Sequence, residues 1–278
     1  MQKLITACLL ILSLAGALRW MHAKVRGGAQ QVGQVTASYV PTAAKLTLHE
    51  PVMVNFAVYN GLSRLAKVNL GLNFEQNFVI TVKVPDGRII NPPQLFTRDP
   101  GGGSGLIGTL SLRPGETYQL GLLLNEWSDF NMPGRYEVEV KLVNSGEEMS
   151  VSGNKMTFEI GPRDASRLIK VCASLAEKVV GANSYHAAAD ATSALSYVQD
   201  PVAVPYLERA LHSGHLVEQI AIEGLERIGN TKAVQTLISA LGIHRGDTDI
   251  LARSALGRIE RKTQDPRLKQ MIKRALIG

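Results

Sequence analysis

Residues 191–198, 221–228 and 252–259 read ATSALSYV, AIEGLERI and ARSALGRI, so one Ala-x-x-x-Leu-x-x-Val/Ile pattern recurs after 30 and then 31 residues. The segments that follow the first two copies also match, with AVPYLERAL at 203–211 and AVQTLISAL at 233–241. Apolar residues three and four positions apart form one face of a helix. A period of this length predicts stacked helix pairs, in which each pair buries its apolar face only against its neighbours.

The predicted helices are arranged in three pairs, at about 184–198 with 202–211, 214–228 with 231–241, and 247–261 with 266–277. Asp200-Pro201 and Asp265-Pro266 each place a capping carboxylate before a proline at the first helical position. A further helix near 164–180, capped by Asp164, is expected to close the stack and to seat it against the preceding part of the chain.

The repeats resemble HEAT repeats, in particular the short form named after phycobilisome lyases. The resemblance rests on the two quoted patterns and the short turn between them, and it covers about a third of the chain. It implies an α-solenoid that binds partners. It also implies one enzymatic alternative, because some members of this family attach or detach bilin chromophores on antenna proteins.

Before the helices, residues 37–162 have the pattern of a β-structure. Val54, Phe56 and Val58 alternate with more polar neighbours, as in a half-buried strand. Further strands are predicted at 65–72, 77–84, 106–112, 117–124, 135–143 and 155–160. Because turn sequences separate these short segments, the pattern predicts a β-sandwich.

Tyr136 follows Pro133-Gly134-Arg135 at the start of a predicted strand. This arrangement resembles the tyrosine corner of immunoglobulin-like domains, in which a tyrosine bonds back to upstream backbone. The sequence therefore predicts an Ig-like β-sandwich at 37–162, followed by a short HEAT-type α-solenoid at 163–278.

The first residues are typical of a secretory signal peptide, with Lys3, an apolar run from Leu4 to Leu14, and Ala15-Gly16-Ala17. We therefore expect a signal peptide at 1–17, a linker at 18–36, and a periplasmic or secreted protein. An uncleaved membrane anchor is the alternative, although the apolar run is shorter than the roughly 20 residues of a spanning helix.

Cleavage after Ala17 would leave Cys172 as the only cysteine. A single thiol excludes an internal disulfide. Because Cys172 lies in an apolar helical stretch, we expect it to be a buried core thiol.

The net charge of +6 is concentrated near the end of the sequence, where residues 242–278 hold nine Lys or Arg and four Asp or Glu, a balance of +5. This surface suits an acidic protein partner or an anionic membrane surface, and its alternative interpretation is a solvated face. Nucleic acid is not expected, because the chain is predicted to be exported and only 5% of it is aromatic. The predicted partner-binding residues are Arg253, Arg258, Arg261, Lys262, Arg267, Lys269, Lys273 and Arg274.

No catalytic, cofactor-binding or metal-binding residues are predicted. The Gly-rich stretch at 99–105 lacks the Lys-Ser/Thr of a phosphate-binding loop. His212 and His215 lack a third ligand for zinc. Asp247 and Asp249 lack the remaining positions of a calcium loop, and we expect them to cap a helix.

These features together predict a non-enzymatic protein–protein interaction module of the bacterial envelope. Two alternatives remain: a bilin lyase-like enzyme and a structural envelope spacer.

Overall fold

A computed structural model of the chain describes residues 33–71, 77–91, 108–143, 145–147, 149–242 and 247–277. The described chain is β-rich up to Gly161 and helical from Ala165 onward. The predicted signal peptide, most of the predicted linker and the Gly-rich stretch at 99–105 lie outside the described residues. Within the described ranges, no helix is both long and apolar enough to cross a membrane.

Eleven strands are described. They are β1 (Val35–Pro41), β2 (Lys45–Thr47), β3 (Met53–Asn60), β4 (Ala66–Gly71), β5 (Phe78–Lys83), β6 (Ile89–Ile90), β7 (Gly108–Leu112), β8 (Thr117–Leu123), β9 (Gly134–Leu142), β10 (Met149–Ser152) and β11 (Lys155–Gly161). They form a four-stranded sheet in the order β10-β1-β3-β8, a five-stranded sheet in the order β2-β11-β9-β5-β6, and the pair β4-β7. The two larger sheets are mixed, because β1 pairs parallel with β10 and β11 pairs parallel with β2.

The strands predicted from alternation are confirmed, each within about two residues of its expected bounds. In β3, Val54, Phe56 and Val58 are fully buried, as the period of two requires. Four strands were not predicted individually: β1, β2, β6 and β10. Three of these have only two to four residues, which is too short for a periodic signal. The fourth, β1, begins at Val35, inside the predicted linker.

One apolar cluster fills the β-rich part and contains residues of all three sheets. Phe56 is fully buried in this cluster, with its ring centroid 5.0 Å from those of Tyr39 and Phe78. A second aromatic group stacks Tyr136 on Phe158, with ring centroids 5.7 Å apart. The Tyr136 hydroxyl donates a hydrogen bond to the Met132 carbonyl oxygen at 2.9 Å, so the predicted bond to upstream backbone is present.

Seven α-helices follow in the described residues. They are α1 (Ala165–Val180), α2 (Tyr185–Ser196), α3 (Val204–Leu211), α4 (Glu218–Ile228), α5 (Thr231–Ala240), α6 (Thr248–Lys262) and α7 (Pro266–Ile277). The predicted helices are confirmed with one shortened start. Helix α4 begins at Glu218 instead of 214, because Gly214 and Leu216 have positive φ angles of 81° and 59°.

The helices pack as pairs in two rows. In one row α2 contacts α4 and α4 contacts α6, while in the other α3 contacts α5 and α5 contacts α7. Gly224 lies where α2 and α4 meet, and a Cβ atom there would come within 2.8 Å of the Ser196 Cα atom. The absence of a side chain at this position therefore allows the two helices to approach closely.

The helix termini use the caps that the sequence indicates. Asp164 accepts a hydrogen bond from the Arg167 backbone N–H, and Asp265 accepts one from the Arg267 backbone N–H. Asn230 caps α5 after Gly229, whose φ of 57° ends α4. The expected cap at Asp247 is wrong, because its side chain accepts no bond from the first turn of α6.

A polar network joins the β-rich part to the helices. Arg167 of α1 binds Glu50 of the β2–β3 turn through Nε at 2.6 Å and Nη2 at 3.0 Å. The Thr47 hydroxyl donates to the Pro162 carbonyl oxygen at 2.6 Å and accepts from the Asp164 backbone N–H at 2.7 Å. These contacts fix the start of α1 against β2 and the β2–β3 turn.

The same junction reaches the turn between α2 and α3. Arg163 pairs with Asp200 through both Nε and Nη2, and Nη2 lies 3.0 Å from Asp200 Oδ1. The Asp200 side chain is only 2% exposed. This pairing with Arg163 lowers the pKa of the Asp200 carboxyl below its usual 3.8. An apolar contact accompanies the network, since Leu123 of β8 packs with Ala194 and Tyr197.

Candidate functional site

The eight cations predicted to bind a partner all lie on α6 or α7, but their contacts divide them into three groups. Arg258 and Lys262 both approach Glu226 on the neighbouring helix α4. Arg258 Nη2 lies 2.7 Å from Glu226 Oε2, and Lys262 Nζ lies 3.6 Å from Oε1. Hydrogen bonding to Glu226 raises the pKa of Arg258 above its usual value. Glu226 therefore offsets part of the positive charge on this side of α6.

A second group bridges α6 and α7. Arg253 binds Asp249 one turn earlier at 2.9 Å and also approaches the Leu276 carbonyl oxygen at 3.5 Å. Lys273 Nζ lies 3.8 Å from Glu260 Oε1. Both cations hold the last two helices together, so they contribute less free charge than the sequence suggests.

The third group has no acidic partner in the described part of the chain. It consists of Arg261, Arg267, Lys269 and Arg274. Arg261, Arg267 and Arg274 are exposed, and Lys269 is partly buried. Arg267 and Arg274 are seven residues apart in α7, which puts them on the same side of the helix with a rise of about 10 Å between them. This half of the predicted set is available to an external anion.

Glu226 and Glu260 also belong to this site, although the sequence did not predict them. The repeat could have indicated Glu226. The second and third copies are offset by 31 residues, so Glu226 in the second aligns with Gly257 in the third, and Gly257 is next to Arg258. Adjacent copies pack side by side, so aligned positions lie close together.

Other predicted residues lie where the sequence placed them. Cys172 is a free cysteine with no exposed surface, and burial raises the pKa of its thiol to about 12. His212 and His215 lie in the turn between α3 and α4. Among the described residues, no group of three or more His, Cys, Asp or Glu side chains is arranged to hold a metal ion.

Comparison with known proteins gives no family. No protein-family model matches the chain, and no curated protein sequence matches it. Structural matches include the Pseudomonas fluorescens alkylpurine DNA glycosylase AlkC bound to DNA with an abasic site analog. That match has 14% identity and a TM-score of 0.26, and it covers 46% of this chain and 31% of the glycosylase.

Two other matches are similarly weak. The CARDB domain of a Pyrococcus furiosus protein in complex with di-metal ions has 13% identity and a TM-score of 0.23, with 48% of this chain and 90% of that chain covered. The sporulation control protein Spo0M of Bacillus subtilis has 13% identity and a TM-score of 0.26, with 52% and 56% covered. Similarity at this level supports no conclusion about fold or function.

These results correct the family resemblance predicted from the sequence. Membership of the HEAT repeats of the phycobilisome-lyase type is wrong, as is assignment to an immunoglobulin-like family, because no family model matches the chain. Recurrence of small and branched apolar residues satisfies helix packing in general, so the quoted patterns were not specific to that family.

Proposed function

We propose that this protein is a non-enzymatic interaction module of the bacterial envelope, which binds an acidic protein partner through the outer surface of α6 and α7. The observation that carries the proposal is the set of four cations without an acidic partner in the described chain: Arg261, Arg267, Lys269 and Arg274. Exposed charge of one sign attracts an oppositely charged surface and speeds encounter. A periplasmic or secreted location, with residues 1–17 as a signal peptide, belongs to the same proposal.

The architecture proposed for this module is a β-sandwich followed by a short α-solenoid. The shared apolar cluster of the sheets and the Tyr136 bond to Met132 support the sandwich. The two rows of helices support the solenoid, since each helix pair contacts mainly its neighbours.

Of the two alternatives, the bilin lyase-like enzyme loses its basis, because it depended on a family resemblance that the comparisons do not support. The structural envelope spacer remains the competing hypothesis. A spacer needs no specific partner, so it predicts that charge reversal on α7 changes no interaction.

The test is a pull-down from envelope extract with the whole mature chain, at low and high salt. The informative variant is Arg267→Glu/Arg274→Glu. Its matched control is Lys170→Glu/Lys178→Glu, which makes the same charge change at two exposed lysines of α1. We expect a partner to be lost in the α7 variant and at high salt, and to be kept in the control.

A partner retained by the α7 variant would contradict the proposed surface, and the absence of any specific partner would favour the spacer. Sedimentation with phosphatidylglycerol vesicles tests whether the surface binds an anionic membrane. If the wild-type chain binds these vesicles and the α7 variant does not, the surface recognises an anionic membrane instead of a protein.

A further inference from the structure

A cleft at the β6 end of the five-stranded sheet is separate from the cationic helices. Its volume is about 370 Å³, within the range of roughly 300–1,000 Å³ typical of small-molecule sites. One wall comes from the β5–β6 hairpin and the other from residues 127–132, which precede β9. Val84, Ile90 and Met132 supply apolar surface.

Polar side chains also reach this cleft, and most of them are unused. Ser128, Asp129 and Asn131 make no side-chain hydrogen bond within the described structure. Asn91 accepts a bond from the Thr81 hydroxyl at 3.1 Å, which leaves its amide N–H groups as donors. The cleft thus offers an acidic acceptor, a hydroxyl and two amides to a single ligand.

Trp127 lies in the wall of the cleft beside these polar groups. Its side chain lines the cleft and is only 7% exposed, and its indole Nε1 is buried without a hydrogen-bond partner. Buried donors are nearly always paired in folded proteins, so an unpaired one calls for an explanation. This N–H has almost no solvent-accessible surface, so the other polar groups of the cleft, and not the indole nitrogen, would contact a ligand.

The charges in the cleft disfavour an anionic ligand. Arg88 is the cation of the lining, and its Nε is bound to Asp86 at 2.7 Å. Asp129 adds an uncompensated carboxylate. A neutral ligand with alternating hydroxyl donors and acceptors, and with C–H faces for the apolar wall, matches these groups better.

We propose that the Trp127 cleft binds a neutral saccharide of one or two sugar rings. Asp129 and Asn131 would bind hydroxyl groups, and Asn91 would donate to a hydroxyl or acetamido oxygen. This site is independent of the proposed surface on α6 and α7.

The test uses Trp127 as its own reporter. The sequence contains two tryptophans, so Trp20→Phe leaves Trp127 as the only indole. We would titrate the Trp20→Phe variant with N,N′-diacetylchitobiose, cellobiose and maltose, and measure both the indole fluorescence and the heat of binding. The variants are Asp129→Ala/Asn131→Ala and Asn131→Ala alone, with Gln119→Ala as an exposed control on β8.

We expect a saturable change with at least one disaccharide, a dissociation constant about tenfold weaker in the double variant, and no change in the control. If the double variant does not fold, Asn131→Ala alone should still weaken saccharide binding. Three results would overturn the proposal: no response to any saccharide in the millimolar range, binding that the cleft variants leave unchanged, or binding of a trialanine amide but of no saccharide.

Discussion

The β-rich part and the helical part of this chain bury their apolar surface in opposite ways. The buried cluster of the β-rich part contains seven aromatic residues and two alanines. The buried cluster of the helical part, as far as it is described, contains ten alanines and no aromatic residue. Large rings fill the space between sheets, whereas small side chains let helices approach each other. The two parts should therefore be sensitive to opposite kinds of substitution.

The largest expected effect is a loss of volume in the β-rich core. Phe56→Ala removes a ring that packs against Tyr39 and Phe78. We expect it to lower the free energy of unfolding by about 3–5 kcal/mol. Phe56→Leu keeps most of the volume and should cost less than about 1.5 kcal/mol. Urea denaturation of both variants measures the difference, and equal losses would refute the packing argument.

A gain of volume in the helical core should come next. Gly224→Ala places a Cβ atom 2.8 Å from the Ser196 Cα and 2.9 Å from the Leu207 Cδ2. Although alanine favours helix formation, we expect a net loss of about 1–3 kcal/mol because α2 and α4 must separate. Gly257→Ala on α6 is the matched control, since its added Cβ would meet only the end of Arg261 at 3.7 Å. Thermal unfolding that ranks the control as the more destabilised variant would contradict this view of the helix contact.

The junction decides whether the two parts respond separately. In a Trp20→Phe/Cys8→Ser background, Trp127 fluorescence reports on the β-rich part. Labelling of the Cys172 thiol, which is buried, reports on the helices. In this background, we expect the Trp127 and Cys172 probes to report the same urea transition. Adding Arg163→Met/Arg167→Met removes the pairs with Asp200 and Glu50, and the two probes should then report separate transitions. Transitions that coincide in both proteins would show that the apolar contact alone couples the parts.

Acid should weaken the same junction. Because Arg163 lowers the Asp200 pKa, the pair of Arg163 with ionised Asp200 stabilises the fold fully above the ordinary carboxyl pKa of 3.8. This contribution to the free energy of unfolding is lost as the pH falls through the lower pKa of the folded state. Arg163→Met should therefore reduce the loss of stability between about pH 5 and pH 2. Arg135→Met, at an exposed arginine of β9, is the control and should keep the wild-type pH dependence.

The smallest effect on folding should come from the proposed partner surface. Arg267→Ala/Arg274→Ala removes two exposed cations that have no acidic partner in the described chain. We expect the free energy of unfolding to change by less than about 0.5 kcal/mol. A larger loss, measured by urea denaturation, would mean that these cations serve the fold and not a partner.

The same contrast explains what could be predicted from the sequence. Helix positions follow from a local period and from caps such as Asp164 and Asp265, so all seven helices were expected. Strand positions follow from alternation, but strand order does not. Nothing near Val35 indicates that it pairs with Met149.

The candidate sites show the same limit. The cations of α6 and α7 were visible as a cluster of charge, but their division into paired and unpaired groups depends on Glu226 in another helix. The Trp127 cleft was not predicted, because its walls come from residues 84–91 and 127–132, which lie far apart in the sequence.

The parallel pairing of β1 with β10 has a consequence for the rate of folding. Its partners Val35 and Met149 are 114 residues apart in the sequence, whereas each helix packs mainly against the next few. Distant contacts require the closure of a long loop before they gain any stability, so they form slowly. The four-stranded sheet is therefore expected to limit the folding rate, and its unpaired edge would be exposed to proteases and chaperones while the helices are already formed.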